Sequence, residues 1–216
     1  MYKIRHSAVF ALLTLLFTLP VAAQTISIAE ARALPLGTAV TVEGAVTVPS
    51  GAFVSSTFDQ GFAIEDDTAG IYISIQTNNG FNYNRLVRVT GTLADDGFGQ
   101  LVIFPGMVAA VGGAQLVEAT LVATGDVGEG TEGSLVRVVA TVTRGPVDDT
   151  PFGYSFFVDD GTGERQIFVP VSTGVNPFLI PFVTPGNTVR VTGLSSQFLA
   201  NLEVLPRRHG DIQLVQ

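Results

Sequence analysis

Cysteine and tryptophan are absent from this 216-residue chain, lysine occurs once and histidine twice. Without cysteine there is no disulfide framework, no thiolate metal site and no thiol nucleophile. The single lysine is Lys3, and it stands with Arg5 in a segment read below as an export signal. The rest of the chain sets nine arginines against nineteen aspartates and glutamates, a balance of −10. Such a chain lacks the cationic field on which phosphate-backbone binding depends. Apolar and turn-forming residues are plentiful: 46% of residues are hydrophobic, with 24 glycines and 11 prolines. That composition excludes disorder and leaves room for one large domain or two of roughly 100 residues.

Residues 1–23 begin with Lys3 and Arg5, followed by an uncharged apolar run from Ala8 to Leu19. Pro20 breaks the run, and Val21 and Ala23 supply the small −3 and −1 side chains of a signal-peptidase site. A run this short does not span a hydrocarbon core of roughly 30 Å, which takes about 20 residues. No cysteine follows it for lipid attachment. The expectation is a cleaved signal peptide over 1–23, no membrane span, and an exported protein, periplasmic or extracellular, starting near Gln24.

The remaining chain repeats itself. Val87-Arg88-Val89-Thr90-Gly91 recurs unchanged as Val189-Arg190-Val191-Thr192-Gly193. Upstream, Gly37–Thr47 matches Gly133–Thr143, and Ile64–Gly70 matches Phe157–Gly163, which aligns Asp66-Asp67 with Asp159-Asp160. Downstream, Leu101–Pro105 matches Leu202–Pro206. Four blocks in one order predict two similar units, with the boundary placed near residue 114: one over 24–113 and one over 114–216. Within each unit apolar residues alternate (Val40, Val42 and Val46; Ile71, Ile73 and Ile75; Val87 and Val89), the period of half-buried strands. Asp67–Gly70, Asp95–Gly97 and Asp160–Gly163 read as hairpin turns. Five strands per unit result, the first kinked at Gly44 or Ala140. Ser27 with Glu30 forms a capping box for one short helix, predicted over Ile28–Leu34 and stopped by Pro35.

Five short strands with a kinked first strand are the pattern of the OB barrel, a small closed Greek-key sheet. The runs 25–47, 61–75 and 86–93, and again 132–143, 156–169, 189–198 and 205–212, resemble the exported OB-fold domains of bacterial surface and periplasmic proteins. That group includes domains accompanying secreted nucleases and the periplasmic bacterial OB-fold family. The terminal Pro206, Arg207, Asp211 and Ile212 belong to the resemblance, which covers residues 25–214. It implies an all-β chain of two tandem five-stranded OB-type barrels, and it speaks for fold more than function.

No catalytic set, metal site or cofactor emerges. Outside the leader the one histidine is His209, in a polar tail, and no Gly-x-Ser-x-Gly elbow is present. The pairs Asp66/Asp67, Asp95/Asp96, Asp148/Asp149 and Asp159/Asp160 supply carboxylates for a hydrolase or for Ca²⁺, but every pair falls where a turn needs an Asp. The OB fold itself suggests single-stranded nucleic acid on strands two and three. Alternation turns Tyr72 and Ser74 outward there in the first unit, and Phe156, Phe168 and Arg165 in the second. Charge opposes phosphate, and strand aromatics are more simply covered by loops or by the neighbouring barrel. The expected function is a non-enzymatic binding module for a protein or small molecule. Val175–Pro185, with its three prolines, is expected to plug the second barrel.

Overall fold

The computed structural model describes residues 24–215, so the signal-peptide reading of 1–23 lies outside the described residues. Helix α1 spans Ile28–Arg32, with the capping box formed as expected: Ser27 Oγ accepts from Glu30 N, and Ser27 N donates to Glu30 Oε2. It stops short of the predicted Leu34 because Pro35 biases the residue before it away from helical ψ.

Strand β1 (Ala39–Val48) leads through a loop carrying α2 (Val54–Thr57) to the hairpin β2 (Phe62–Glu65) and β3 (Gly70–Ile73). The hairpin β4 (Arg85–Asp95) and β5 (Leu101–Ala114) follows, and the five close in the order β1-β2-β3-β5-β4. The β3–β5 pairing is parallel and the others antiparallel. This is OB closure. After the short β6 (Thr120–Leu121) come β7 (Leu135–Asp149), β8 (Gly153–Asp159), β9 (Arg165–Pro170), β10 (Thr188–Phe198), β11 (Asn201–Leu205) and β12 (Ile212–Leu214). Their sheet runs β12-β10-β11-β9-β8-β7-β6, and β10 also pairs with β7. Strands β7, β8, β9, β11 and β10 therefore close as the first five do.

The two closures agree residue by residue. In the first, Val40, Val42 and Gly44 oppose Gly91, Val89 and Val87; in the second, Val136, Val138 and Ala140 oppose Gly193, Val191 and Val189. The glycine ending each Val-Arg-Val-Thr-Gly segment lies where a Cβ would collide with backbone, of Phe104 for Gly91 and of Leu205 for Gly193. Only a residue without a side chain lets the strands cross there.

Each barrel fills its own interior. Ile28, Val42, Ile64, Ile71, Ile73, Val89 and Ile103 pack in the first, and Val138, Phe156, Val158, Ile167, Val169 and Val204 in the second. Val175, Ile180 and Val183 join the second core, so this Pro-rich segment plugs the barrel while Phe178 and Leu179 stay exposed. Among the described residues no helix is long and apolar enough to cross a membrane.

Candidate functional site

A third apolar cluster joins the barrels. Val48, Phe53, Ala63, Tyr72 and Val102 of the first meet Phe168, Leu194 and Leu205 of the second. The backbones of Gly70 and Gly133 approach too closely for a side chain on either, and Gly70 N donates to Ser134 Oγ (3.0 Å). Glu65 Oε2 accepts from Leu135 N (2.7 Å), and Glu132 Oε1 accepts from Arg32 and from Leu101 N. Arg207, buried and bonded to Asp211, donates across the junction to the Thr47 carbonyl (2.8 Å). The terminal Pro-Arg…Asp-Ile stretch is thus a latch between barrels.

This junction takes the surface the OB fold offers to single strands. Tyr72 does point out of its barrel, but it is 3% exposed and its hydroxyl donates to Asp59 (2.8 Å). Ser74 donates to the same carboxylate (2.7 Å). Phe168 is also outward-facing, yet it lies in the junction at 8% exposure. Phe156 corrects the expectation outright: it opposes Ile167, faces inward and is fully buried. Arg165 turns to the carbonyls of Thr124 and Gly125.

The facing error has one source. Asp66 accepts from Ile28 N and from Thr68, and Asp160 accepts from Thr124 N and from Thr162. Asp66 therefore corresponds to Asp160, one position away from the sequence match, and Phe62 corresponds to Phe156. A double Asp slides by one without penalty in sequence, and one residue inverts a strand's faces. Each of these aspartates fastens its hairpin to the start of the helical turn before its barrel's first strand. Asp95, Asp96, Asp148 and Asp159 likewise accept backbone N–H groups of their own turns. His209 is exposed in the tail.

One cleft remains open beside the junction. Four loops reach it, two from each barrel, and each brings a phenylalanine. Phe58 lies between β1 and β2, Phe98 between β4 and β5, Phe152 between β7 and β8, and Phe198 at the β10–β11 turn. Corresponding loops meet: Phe58 and Phe152 pack edge-on at 5.7 Å, and Phe98 and Phe198 stack at 5.1 Å. All four rings are partly exposed, between 39% and 64%. Phe58 and Leu199 hold left-handed backbone (φ 58° and 56°), rare for bulky side chains and stored where surrounding contacts enforce it. Below the rings lies a cavity of about 390 Å³, with Phe168, Gln166 and Glu203 in its wall. A smaller chamber of about 100 Å³ adjoins it and shares Ser56, Phe98, Phe198 and Glu203 with it.

The lining is acidic. Asp59, Asp96 and Glu203 line the chamber and Asp149 the outer cavity, and among the described residues no Arg, Lys or His lines either. Asp59 is saturated by Thr57, Gly61 N, Tyr72 and Ser74. Burial raises Asp96 from its ordinary value, opposed by the N–H groups of Phe98 and Gln100. Burial alone raises Glu203 to about 8. It is 5% exposed, and no hydrogen bond to its carboxylate is present among the described residues. Sequence reasoning missed this cleft. The available trace was a Glu inside the block Leu202–Pro206, where the matching block has Val102.

No protein-family model matches the sequence, and no curated protein sequence matches it. Among solved structures, the chain is similar to the p204 HINb domain, at 14% identity over 83% of this chain and 98% of that one, with a TM-score of 0.38. It is similar to an OBody bound to hen egg-white lysozyme at 15% identity over 47% of this chain and 98% of that one, TM-score 0.36. It also resembles a replication protein A heterotrimer bound to ssDNA, at 21% identity over 40% of this chain and 62% of that one, TM-score 0.31. The OB assignment rests on the strand order and registers described above.

Proposed function

We propose that this chain is an exported, non-enzymatic binding protein whose ligand enters the cleft between its two barrels. Export rests on the leader-like residues 1–23 and on the resemblance to exported bacterial OB-fold domains. The observation that carries the binding reading is the convergence of Phe58, Phe98, Phe152 and Phe198, from four separate loops, on one cavity of about 390 Å³. Partly exposed aromatic rings above a concave floor are the usual make-up of a small-molecule site. Of the aspartate pairs, Asp66, Asp95, Asp148 and Asp159 are engaged by turn N–H groups, while Asp96 and Asp149 line the site and add to its negative charge.

The reading is tested by titrating a library of small aromatic fragments into isotope-labelled protein and following backbone amide shifts. Saturable shifts are expected at Ser56, Phe98, Phe168, Phe198 and Glu203, and they are expected to vanish in the double variant Phe98→Ala/Phe198→Ala. Shifts confined to another surface, or none at all, overturn it.

A further inference from the structure

We propose that the cleft takes a small organic cation with an apolar body, such as an arylalkylammonium, its N–H groups meeting Glu203 and its body lying among the phenylalanines. This rests on the reading that the cleft is the binding site, and it names what the site selects.

The first argument is a comparison inside the molecule. Glu203 opposes Ser196 and Gln166 in its barrel as Val102 opposes Ala94 and Tyr72 in the other. The fold therefore accepts an apolar residue at this register position and does not require a charge there. The Glu203 carboxyl has no hydrogen-bond partner among the described residues and stands in the chamber wall, where a group from outside can meet it. Val102 and Glu203 line the same chamber, one from each barrel.

The second argument is donor accounting. Gln197 Oε1 is buried without a hydrogen bond and Gln197 also lines this chamber, while its Nε2 donates to the Leu199 carbonyl. Of Gln197 and Glu203, only Glu203 has oxygens open to the chamber, and a ligand that meets its ionised carboxylate carries N–H or O–H donors. An anion would meet Asp59, Asp96, Asp149 and Glu203 and, among the described residues, no cation.

The third argument concerns the walls. Phe98 and Phe198 line both the chamber and the outer cavity and Phe168 lines the outer cavity, which suits both an apolar body and cation–π attraction. A bare divalent ion does not fit, since Ca²⁺ takes six to eight oxygens and no group of three His, Cys, Asp or Glu gathers among the described residues. Among the described residues, the titratable groups lining the cavity with Glu203 are Asp59, Tyr72, Asp96 and Asp149, and none is a cation. Burial raises Glu203 to about 8, so an ammonium that pairs with its carboxylate at neutral pH displaces a proton to solvent.

The test is calorimetric titration of the exported, purified protein with phenethylammonium, neutral phenethyl alcohol, phenylacetate, and N-acetyl-lysine methylamide. Phenethylammonium is expected to bind at least tenfold more tightly than the alcohol, with phenylacetate not binding. Its apparent enthalpy at pH 7 should change with the buffer's ionisation enthalpy, reporting proton release. Glu203→Gln and Glu203→Val should each abolish the preference, two variants guarding against a folding failure in one. Equal preference shown by the lysine amide, lost in Glu203→Gln, would identify the cation's source as a peptide side chain and uphold the chemistry. Equal binding of alcohol and ammonium, or a preference that survives both variants, overturns the cation and leaves the cleft standing. Failure of every probe overturns the cation and the cleft together.

Discussion

Glu203 and Val102 hold one register position in two barrels that close alike, and both face a single inner chamber. Replacing Glu203 by Val installs what the other barrel already accommodates. Thermal unfolding followed by circular dichroism should show Glu203→Val more stable than the parent at pH 7. The gain comes from removing a carboxyl that is 5% exposed and has no hydrogen-bond partner among the described residues. A drop in the melting midpoint would mean that Glu203 has a partner in the folded state.

The pH dependence follows from three carboxyls. Burial raises Glu203 to about 8 and Glu65 to about 7, against an ordinary value of 4.5. The folded state then keeps protons that the unfolded chain releases, so their contribution is complete below about pH 4.5 and is lost as pH rises through 7 and 8. Asp160 works in the opposite direction. The Thr162 hydroxyl, with Thr124, holds it at about 2, so its contribution is present above about pH 4 and is lost as pH falls through 2. Urea midpoints should therefore peak in mildly acidic buffer and decline toward pH 9, with Glu203→Val flattening the alkaline side.

Nucleic acid should not bind. A labelled oligothymidine is expected to show no saturable anisotropy change, even at low salt, because Tyr72 and Phe168 are spent on the junction. Tyr72→Phe should instead reveal a structural role. It removes one of four donors to the buried Asp59 and should cost about 1–2 kcal/mol of stability.

Asp66→Asn and Asp160→Asn should lower the melting midpoint by similar amounts, since each unfastens a hairpin from the helical turn before its barrel. Asp67→Asn should be nearly silent, because its carboxylate meets only the exposed Gln115 amide. Melting curves of the three variants decide whether Asp66 corresponds to Asp160, as the hydrogen bonds indicate.

Phe156→Ala and Phe198→Ala should separate core from cleft. Phe156 is fully enclosed, and its truncation should cost about 3–5 kcal/mol. Phe198 is 44% exposed and stacked on Phe98, so its loss should spare most of the stability and remove fragment binding. Chemical denaturation and the amide-shift titration read the two effects independently.

Both barrels were legible in the sequence because closure depends on local features that sequence carries openly. Gly91 and Gly193 end identical segments, the alternating valines mark interior faces, and Ser27 with Glu30 declares its helix. The facing of Phe156 was not legible, because Asp66-Asp67 matches Asp159-Asp160 as readily as the true partners one residue on. The burial of Tyr72 and Phe168 depends on how two closed surfaces meet, which no periodicity within one strand encodes. Glu203 was visible as a charge in an otherwise apolar block. Its meaning needed the neighbouring barrel, because a carboxylate on an open sheet face would simply be hydrated.

Like loops meet like across the cleft, Phe58 with Phe152 and Phe98 with Phe198, in the manner of a pair of identical subunits. Identical subunits, however, bring identical residues to whatever they enclose: at this register position, two valines or two carboxylates repelling each other. Carrying both barrels on one chain breaks that equality. One wall stays apolar at Val102 while the other bears Glu203, so a chamber built by near-symmetry can tell one end of its occupant from the other.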